Sequence, residues 1–310
     1  MNHDWMTAAE AIQKRLLPCR RLTFNGLHCE AYYRPFHNIG GDYYDFVPLD
    51  RSKLGFAIGD VSGKGVEAAL TMANLQASLR ALLLNQETRP STLVRTLNQL
   101  LYHSSLPHIY ATLFYGEYDA ETRVLSYVNA GHYPPLIVRQ EGEGVRFIRL
   151  ESDGIPIGIF PDADYQGESC PLQPGDLLVG YTDGITESCD KPQEFWGLAG
   201  LEGVLLRCIG RRPGEVIEAI LSERKRVSAT NTPADDMTLV VATIEEAAGC
   251  PQMKSAQDLE TTTPCRDAVQ AGTEQVNKIA AVAAASSLRA PRWSRRTIGE
   301  IKTHGQSQER

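Results

Sequence analysis

Two spacings of apolar residues alternate along most of the chain. Runs such as Leu54-Gly55-Phe56-Ala57-Ile58 and Leu177-Leu178-Val179-Gly180-Tyr181 are short, nearly continuous and bounded by turn residues, which predicts buried strands. Further strands are predicted over 27–34, 110–118, 124–129, 136–139, 145–150 and 237–244, with the first of the two runs extending over 53–59. Elsewhere apolar residues return every third or fourth position. Ala68, Ala69, Met72, Leu75, Leu79, Leu82 and Leu83 form one stripe of a helix over 65–85. Leu93, Val94, Leu97, Leu100 and Leu101 do the same over 91–103, with Ser91 as its N-cap. Two more helices are predicted over 197–209 and 213–227, the second opening on Pro213. A short helix over 6–17 places Ala8, Ala9, Ile12, Leu16 and Leu17 on one face and stops at Pro18. A meander of short strands pairs antiparallel. Strand groups separated by helical pairs predict an α+β domain of two packed sheets with helices outside.

The pattern fades after residue 246. Residues 247–310 are rich in Ala, Ser, Thr and Gln, and a possible helix over 266–289 would have a mostly alanine face. The expected division is a connector helix over 1–20, a folded domain over 21–246 and a disordered low-complexity tail over 247–310, whose basic run over 289–296 reads as solvated. The 310 residues are 42% hydrophobic, enough for a sizeable core. A formal net charge of -7 argues against a nucleic-acid partner. No apolar run approaches the roughly 20 residues of a membrane span, and no signal-peptide core is present. Seven cysteines, at 19, 29, 170, 189, 208, 250 and 265, are odd in number and form no C-x-x-C pair, so free thiols in a reducing cytoplasm are expected.

Chemistry enters at the strand ends. The run 54–58 leads into Gly59-Asp60-Val61-Ser62-Gly63-Lys64-Gly65, a carboxylate followed by a glycine turn. Asp60 there is either the cap of the next helix or a ligand for a hard cation. Gly40-Gly41-Asp42-Tyr43-Tyr44-Asp45, Tyr181-Thr182-Asp183-Gly184 and Ala234-Asp235-Asp236-Met237-Thr238 favour the second reading, because each also sets an aspartate at the edge of an apolar run. Converging carboxylates without His or Cys suit Mg(II) or Mn(II) rather than zinc, and several of them can hold two ions. Such a pair suits hydrolysis of a phosphate ester. No Ser-His-Asp or Cys-His set stands at diagnostic spacing, so no covalent nucleophile is expected.

Together with Asn129-Ala130-Gly131-His132-Tyr133-Pro134-Pro135, these stretches resemble, in order, the motif series of the metal-dependent (PPM, type 2C-like) serine/threonine protein phosphatases, in particular the bacterial SpoIIE/RsbU branch. The likeness covers about residues 8–245, and Ile12-Gln13 with Leu16-Leu17-Pro18 resemble the helix that joins this domain to upstream sensors. It implies a four-layer α-β-β-α sandwich of two antiparallel sheets. It implies that Asp60 bridges two Mn(II) or Mg(II) ions, that the Val61 carbonyl completes one shell, and that Asp42 binds on the side occupied by an acidic residue in the family. Asp183 and Asp235 would hold the other ion, with Asp236 as the alternative ligand or as a residue orienting a bound water. Asp42, Asp60, Asp183 and Asp235 are thus the implied catalytic set.

Ser62 stands where many relatives outside bacteria carry a histidine often proposed as general acid, so the leaving group would take its proton from water or from the substrate's surroundings. No arginine is assigned to the phosphate; Arg34 and Lys64 are candidates. His132 reads as ordering its loop and Asp45 as a turn residue.

The resemblance implies a cytoplasmic phosphatase acting on phosphoserine or phosphothreonine of a regulatory protein, such as a STAS-type antagonist of an anti-sigma factor. Regulation is expected through a separate activator, or through self-association by the N-terminal helix. The rivals are a catalytically silent module that binds a phosphoprotein and a scaffold with a structural calcium site.

Overall fold

A computed structural model of the chain describes residues 4–84, 89–187, 196–227 and 235–245. All the elements below lie within the first of two units, Met1–Cys250 and Pro251–Arg310. The expected tail, with its possible helix and basic run, falls outside the described residues.

In chain order the elements are α1 (Asp4–Leu16), β1 (Arg21–Phe24), β2 (Leu27–Arg34), β3 (Tyr43–Pro48), β4 (Lys53–Val61), α2 (Val66–Leu82), α3 (Pro90–Ser104), β5 (Ala111–Asp119), β6 (Val124–Ala130), β7 (Leu136–Glu141), β8 (Gly144–Arg149), β9 (Glu168–Pro171), β10 (Leu177–Tyr181), α4 (Asp183–Thr186), α5 (Gly197–Leu205), α6 (Pro213–Val227) and β11 (Met237–Ile244). One sheet runs β1-β2-β11-β10-β7-β8 and the other β3-β4-β5-β6-β9, with neighbouring strands antiparallel throughout. Tyr44, Phe46, Phe56, Ile58 and Phe114 of the second sheet pack against Cys29, Ala31, Ile137, Leu178 and Val240 of the first. On its outer face the second sheet is covered by Met72, Leu75 and Leu79 of α2 and Leu93, Val94 and Leu97 of α3. The first sheet is covered by Leu201 and Val204 of α5 and Val216, Ile217 and Ile220 of α6. The result is the four-layer sandwich, and the apolar stripes of the helices are the reason for it.

The two sheets leave an apolar space of about 20 Å³ between Leu27, Cys29, Leu54, Phe56, Leu178 and Ala242. Cys19, Cys29, Cys170 and Cys208 are free thiols. Among the described residues no helix is long and apolar enough to cross a membrane.

Several details differ from expectation. β1, β3, β9 and α4 are additional, and α5 ends at Leu205. α3 begins at Pro90 with Arg89 as its N-cap, because proline at the first helical position already fixes the backbone; Ser91 lies inside the helix. Asp45 lies within β3 rather than in a turn, since Arg80 grips both its oxygens at 2.7 and 2.9 Å and Tyr43 Oη donates to it at 2.7 Å. On α1 the inward residue is Gln13, 6% exposed, whereas Ile12 is 61% exposed. The reason is hydrogen bonding: Gln13 Nε2 donates to the Gly40 carbonyl at 2.7 Å, and its Oε1 accepts from the Gly40 amide at 3.1 Å and from Tyr33 Oη at 3.3 Å. A polar side chain with those partners is stable where an apolar one would leave them unmet.

Candidate active site

Strand direction brings the acidic motifs to one edge. Asp60 is at the C-terminal end of β4, opposite Thr112 where β5 begins. Asp42 immediately precedes β3, whose Tyr43 faces Gly59 of β4. In the other sheet β10 ends at Tyr181, opposite Leu239, so Thr182 and Asp183 emerge where β11 starts. Asp235 and Asp236 lead into Met237, which is paired with Arg34 at the end of β2.

Asp42 ties the two halves together. Its Oδ2 accepts hydrogen bonds from Thr182 Oγ1 at 2.8 Å and Thr238 Oγ1 at 2.6 Å, so a carboxylate from one sheet is held by two hydroxyls of the other. The Thr238 amide in turn donates to Thr182 Oγ1 at 3.0 Å. Asp236 works differently. Its Oδ1 accepts from the Phe36 amide at 2.6 Å and its Oδ2 from the Gly41 amide at 2.6 Å, which anchors the loop leading to Asp42. A Cβ on Gly40 would lie inside that carboxylate, and a Cβ on Gly184 would overlap the Asp236 carbonyl. Both glycines are therefore required by close approach.

The electrostatics are those of crowded like charges. Burial first, then Asp183, Asp235 and Asp236, push the Asp60 carboxyl up to about 8. Burial, with Asp60 and Asp236 nearby, raises Asp42 well above the carboxylate range against the lowering effect of the two threonine hydroxyls. Asp183 is raised by burial and then by Asp235 and Glu187. Lys64 Nζ pairs with Asp235 Oδ2 at 2.7 Å.

Among the described residues, no three acidic, histidine or cysteine side chains are drawn up around one point ready to grip an ion. The donor chemistry nevertheless fits a hard divalent cation. The converging side chains are carboxylates, they repel one another, and Asp42 Oδ1 is a buried oxygen that accepts no hydrogen bond.

The remaining candidates have structural surroundings. Ser62 is tied to Tyr110, its Oγ accepting from the Tyr110 amide at 3.0 Å and its amide donating to the Tyr110 carbonyl at 2.9 Å. His132 is buried with Nδ1 2.8 Å from Thr112 Oγ1, and its amide donates to Asn129 Oδ1 at 2.8 Å; burial lowers its pKa to about 3. It orders its loop as a neutral imidazole. Arg34 is exposed at the end of its strand.

Sequence reasoning overlooked Thr182 and Thr238, although both flank the aspartate motifs. It also overlooked a cleft of about 340 Å³ lined by Tyr133, Pro134, Arg149, Tyr181, Glu187 and Leu198. Tyr133 Oη donates to Glu187 Oε1 at 2.6 Å, and both groups lie within electrostatic reach of Asp183, so the cleft opens beside the acidic edge.

The chain is 30% identical over 257 residues to Protein IcfG of Synechocystis, covering 74% of this chain and 40% of that protein. It is 29% identical over 235 residues to the phosphoserine phosphatase RsbU of Bacillus subtilis, covering 75% of this chain and 68% of that one. The chain thus spans well under half of the first relative. Its fold is that of the SiaA-PP2C domain of Pseudomonas aeruginosa, with a TM-score of 0.66 at 21% identity over 78% of this chain and 96% of that domain. Residues 50–245, more than half of the sequence, match the Stage II sporulation protein E (SpoIIE) family, and the chain belongs to it.

Proposed function

We propose that the chain is a metal-dependent phosphoprotein phosphatase that hydrolyses phosphoserine or phosphothreonine on a regulatory protein. The observation that carries this reading is the gathering of Asp42, Asp60, Asp183 and Asp235 at one edge of the two sheets, where burial and then the neighbouring carboxylates raise the Asp60 carboxyl to about 8. Mn(II) or Mg(II), held by Asp42 through its unpartnered Oδ1, Asp60, Asp183, Asp235 and the Val61 carbonyl, would supply Lewis acidity toward the phosphoryl group and a water made nucleophilic at neutral pH.

The protein's own residues set the stage. Asp42, fixed by Thr182 and Thr238, holds the two sheets in register across the site. Asp236 fixes the loop that presents Asp42, and we assign it to positioning because backbone amides engage both its oxygens. The cleft beside Asp183 receives the substrate segment flanking the phosphorylated residue.

The name of the relative RsbU, a phosphoserine phosphatase, supports a phosphoserine substrate. A STAS-type antagonist of an anti-sigma factor in the cytoplasm is the partner we favour, with an upstream activator or a second copy acting through α1. The same reading divides the chain into a connector helix over 1–20, the phosphatase domain over 21–246 and a tail over 247–310.

The test is phosphate release from a synthetic phosphoserine peptide. Release should require Mn(II) or Mg(II) and stop in excess chelator. Undiminished release in chelator would remove the metal-dependent reading, and peptide binding without release would favour the silent module instead.

A further inference from the structure

Lys64 stands at an unusual point of the acidic edge. Among the described residues it is the cation seen in an ion pair with that group of carboxylates, at 2.7 Å from Asp235 Oδ2. Its Nζ also lies 4.9 Å from the centre of the Phe36 ring. Phe36 belongs to the same construction, since its amide holds Asp236. Lys64 further acts on Asp183, lowering its pKa against the larger effects that raise it.

Neither visible contact is strong. Both partners of the ion pair are well exposed, at 44% and 39% of their side chains. Exposed pairs of that kind, and a cation over a half-buried ring such as Phe36, are readily exchanged. The backbone around Lys64 also has room. Gly63 and Gly65, on either side, have φ of 91° and 73°, and a Cβ at Gly65 would meet nothing within 4 Å.

Two demands fall on this lysine. Asp235 is an assigned ligand, so a divalent ion arriving there must displace the ammonium group. A phosphoryl dianion must then enter a site whose fixed side chains are otherwise acidic, and it needs a positive group of the protein beside it. We propose that Lys64 is the phosphoryl-binding cation of this site and that it exchanges between Asp235 and the phosphoryl oxygens as the divalent ion takes Asp235. Lysine suits the task as a compact charge on a flexible stem with three donors. Arg34 is the weaker choice, since its strand-end side chain is exposed rather than seated on the carboxylates. This proposal rests on reading the edge as a metal-dependent phosphatase site.

The exchange can be measured on the full chain in two ways. Calorimetric titration of the chelator-stripped protein with Mn(II) reports competition for Asp235. Inhibition of hydrolysis of para-nitrophenyl phosphate by inorganic phosphate, at saturating Mn(II), reports the second position. Lys64→Met should bind Mn(II) about two- to fivefold more tightly, because its intramolecular competitor is gone. The same variant should bind inorganic phosphate about tenfold more weakly, and Lys64→Arg should recover most of that loss. Unchanged or weaker Mn(II) binding in Lys64→Met, or unchanged phosphate inhibition, would overturn the proposal while leaving the phosphatase assignment standing. Failure of the unaltered protein to bind Mn(II) at all would overturn both.

Discussion

Asp45 and Asp176 are as deeply buried as Asp42, at 0%, 1% and 1% exposure, yet their surroundings are opposite in kind. Asp45 is clasped by Arg80 through two hydrogen bonds. Asp176 is clasped by Arg139 in the same way, at 2.8 and 2.6 Å, and Arg139 also reaches the Pro171 carbonyl. Asp42 has two hydroxyls and, beyond them, the carboxyls of Asp60 and Asp236. Burial alone therefore does not mark a functional carboxylate. A buried carboxylate facing a guanidinium holds elements together, whereas buried carboxylates facing one another are strained toward protonation and toward any cation that can enter.

The sharpest way to separate the two classes is to neutralise one member of each. Asp60→Asn and Asp183→Asn should each lower phosphoester turnover by about a thousandfold, roughly 4 kcal/mol of barrier, with the fold intact by circular dichroism. Near-normal turnover in either variant would mean that the acidic edge is misassigned. Arg139→Ala should do the reverse. It strands Asp176 and should cost about 3 kcal/mol of stability in denaturant unfolding, while activity per folded molecule is retained.

A third experiment uses pH. In the folded, metal-stripped protein the Asp60 carboxyl keeps its proton up to about 8, whereas in the unfolded chain it releases it near about 3.9. The folded state therefore binds the extra proton between those values. This group's contribution to stability is complete below about pH 4 and is lost as the pH climbs toward 8. Metal-stripped Asp60→Asn should show a flatter dependence of its denaturation midpoint over that window than the unaltered protein. Parallel profiles would show that burial and crowding at Asp60 act more weakly than its surroundings imply. The smallest effect is expected at Ile12, which faces outward on α1. Ile12→Asp should shift stability by no more than about 0.5 kcal/mol. Any change in sedimentation would then report self-association through that face.

What was legible in the sequence followed from repetition. The helices show long stripes, the central strands show unbroken apolar runs, and the aspartate motifs stand at the ends of those runs. What was not legible depended on partners far away in the chain. β3 was hidden because Asp45 interrupts Tyr43, Tyr44 and Phe46, and the distant Arg80, with the Tyr43 hydroxyl and the Phe46 amide, makes that interruption tolerable. β1 and β9 have four residues each, too few for a period to show. The inward face of α1 was misjudged by one residue because the bonds that draw Gln13 inward come from Gly40 and Tyr33. The aspartates of the site could be named from their motifs, but not the threonines that fix Asp42 or the pairing of Lys64 with Asp235.

The small apolar space between the sheets has a consequence of its own. Its lining comes from the starts of β2, β4 and β10 and the late part of β11, which is the end of the sandwich away from the acidic edge. It offers a water molecule no polar partners, so it stays dry. Volume left empty in the folded state is recovered on unfolding, which makes this end the compressible one. Hydrostatic pressure should therefore loosen the sandwich from the end opposite the chemistry.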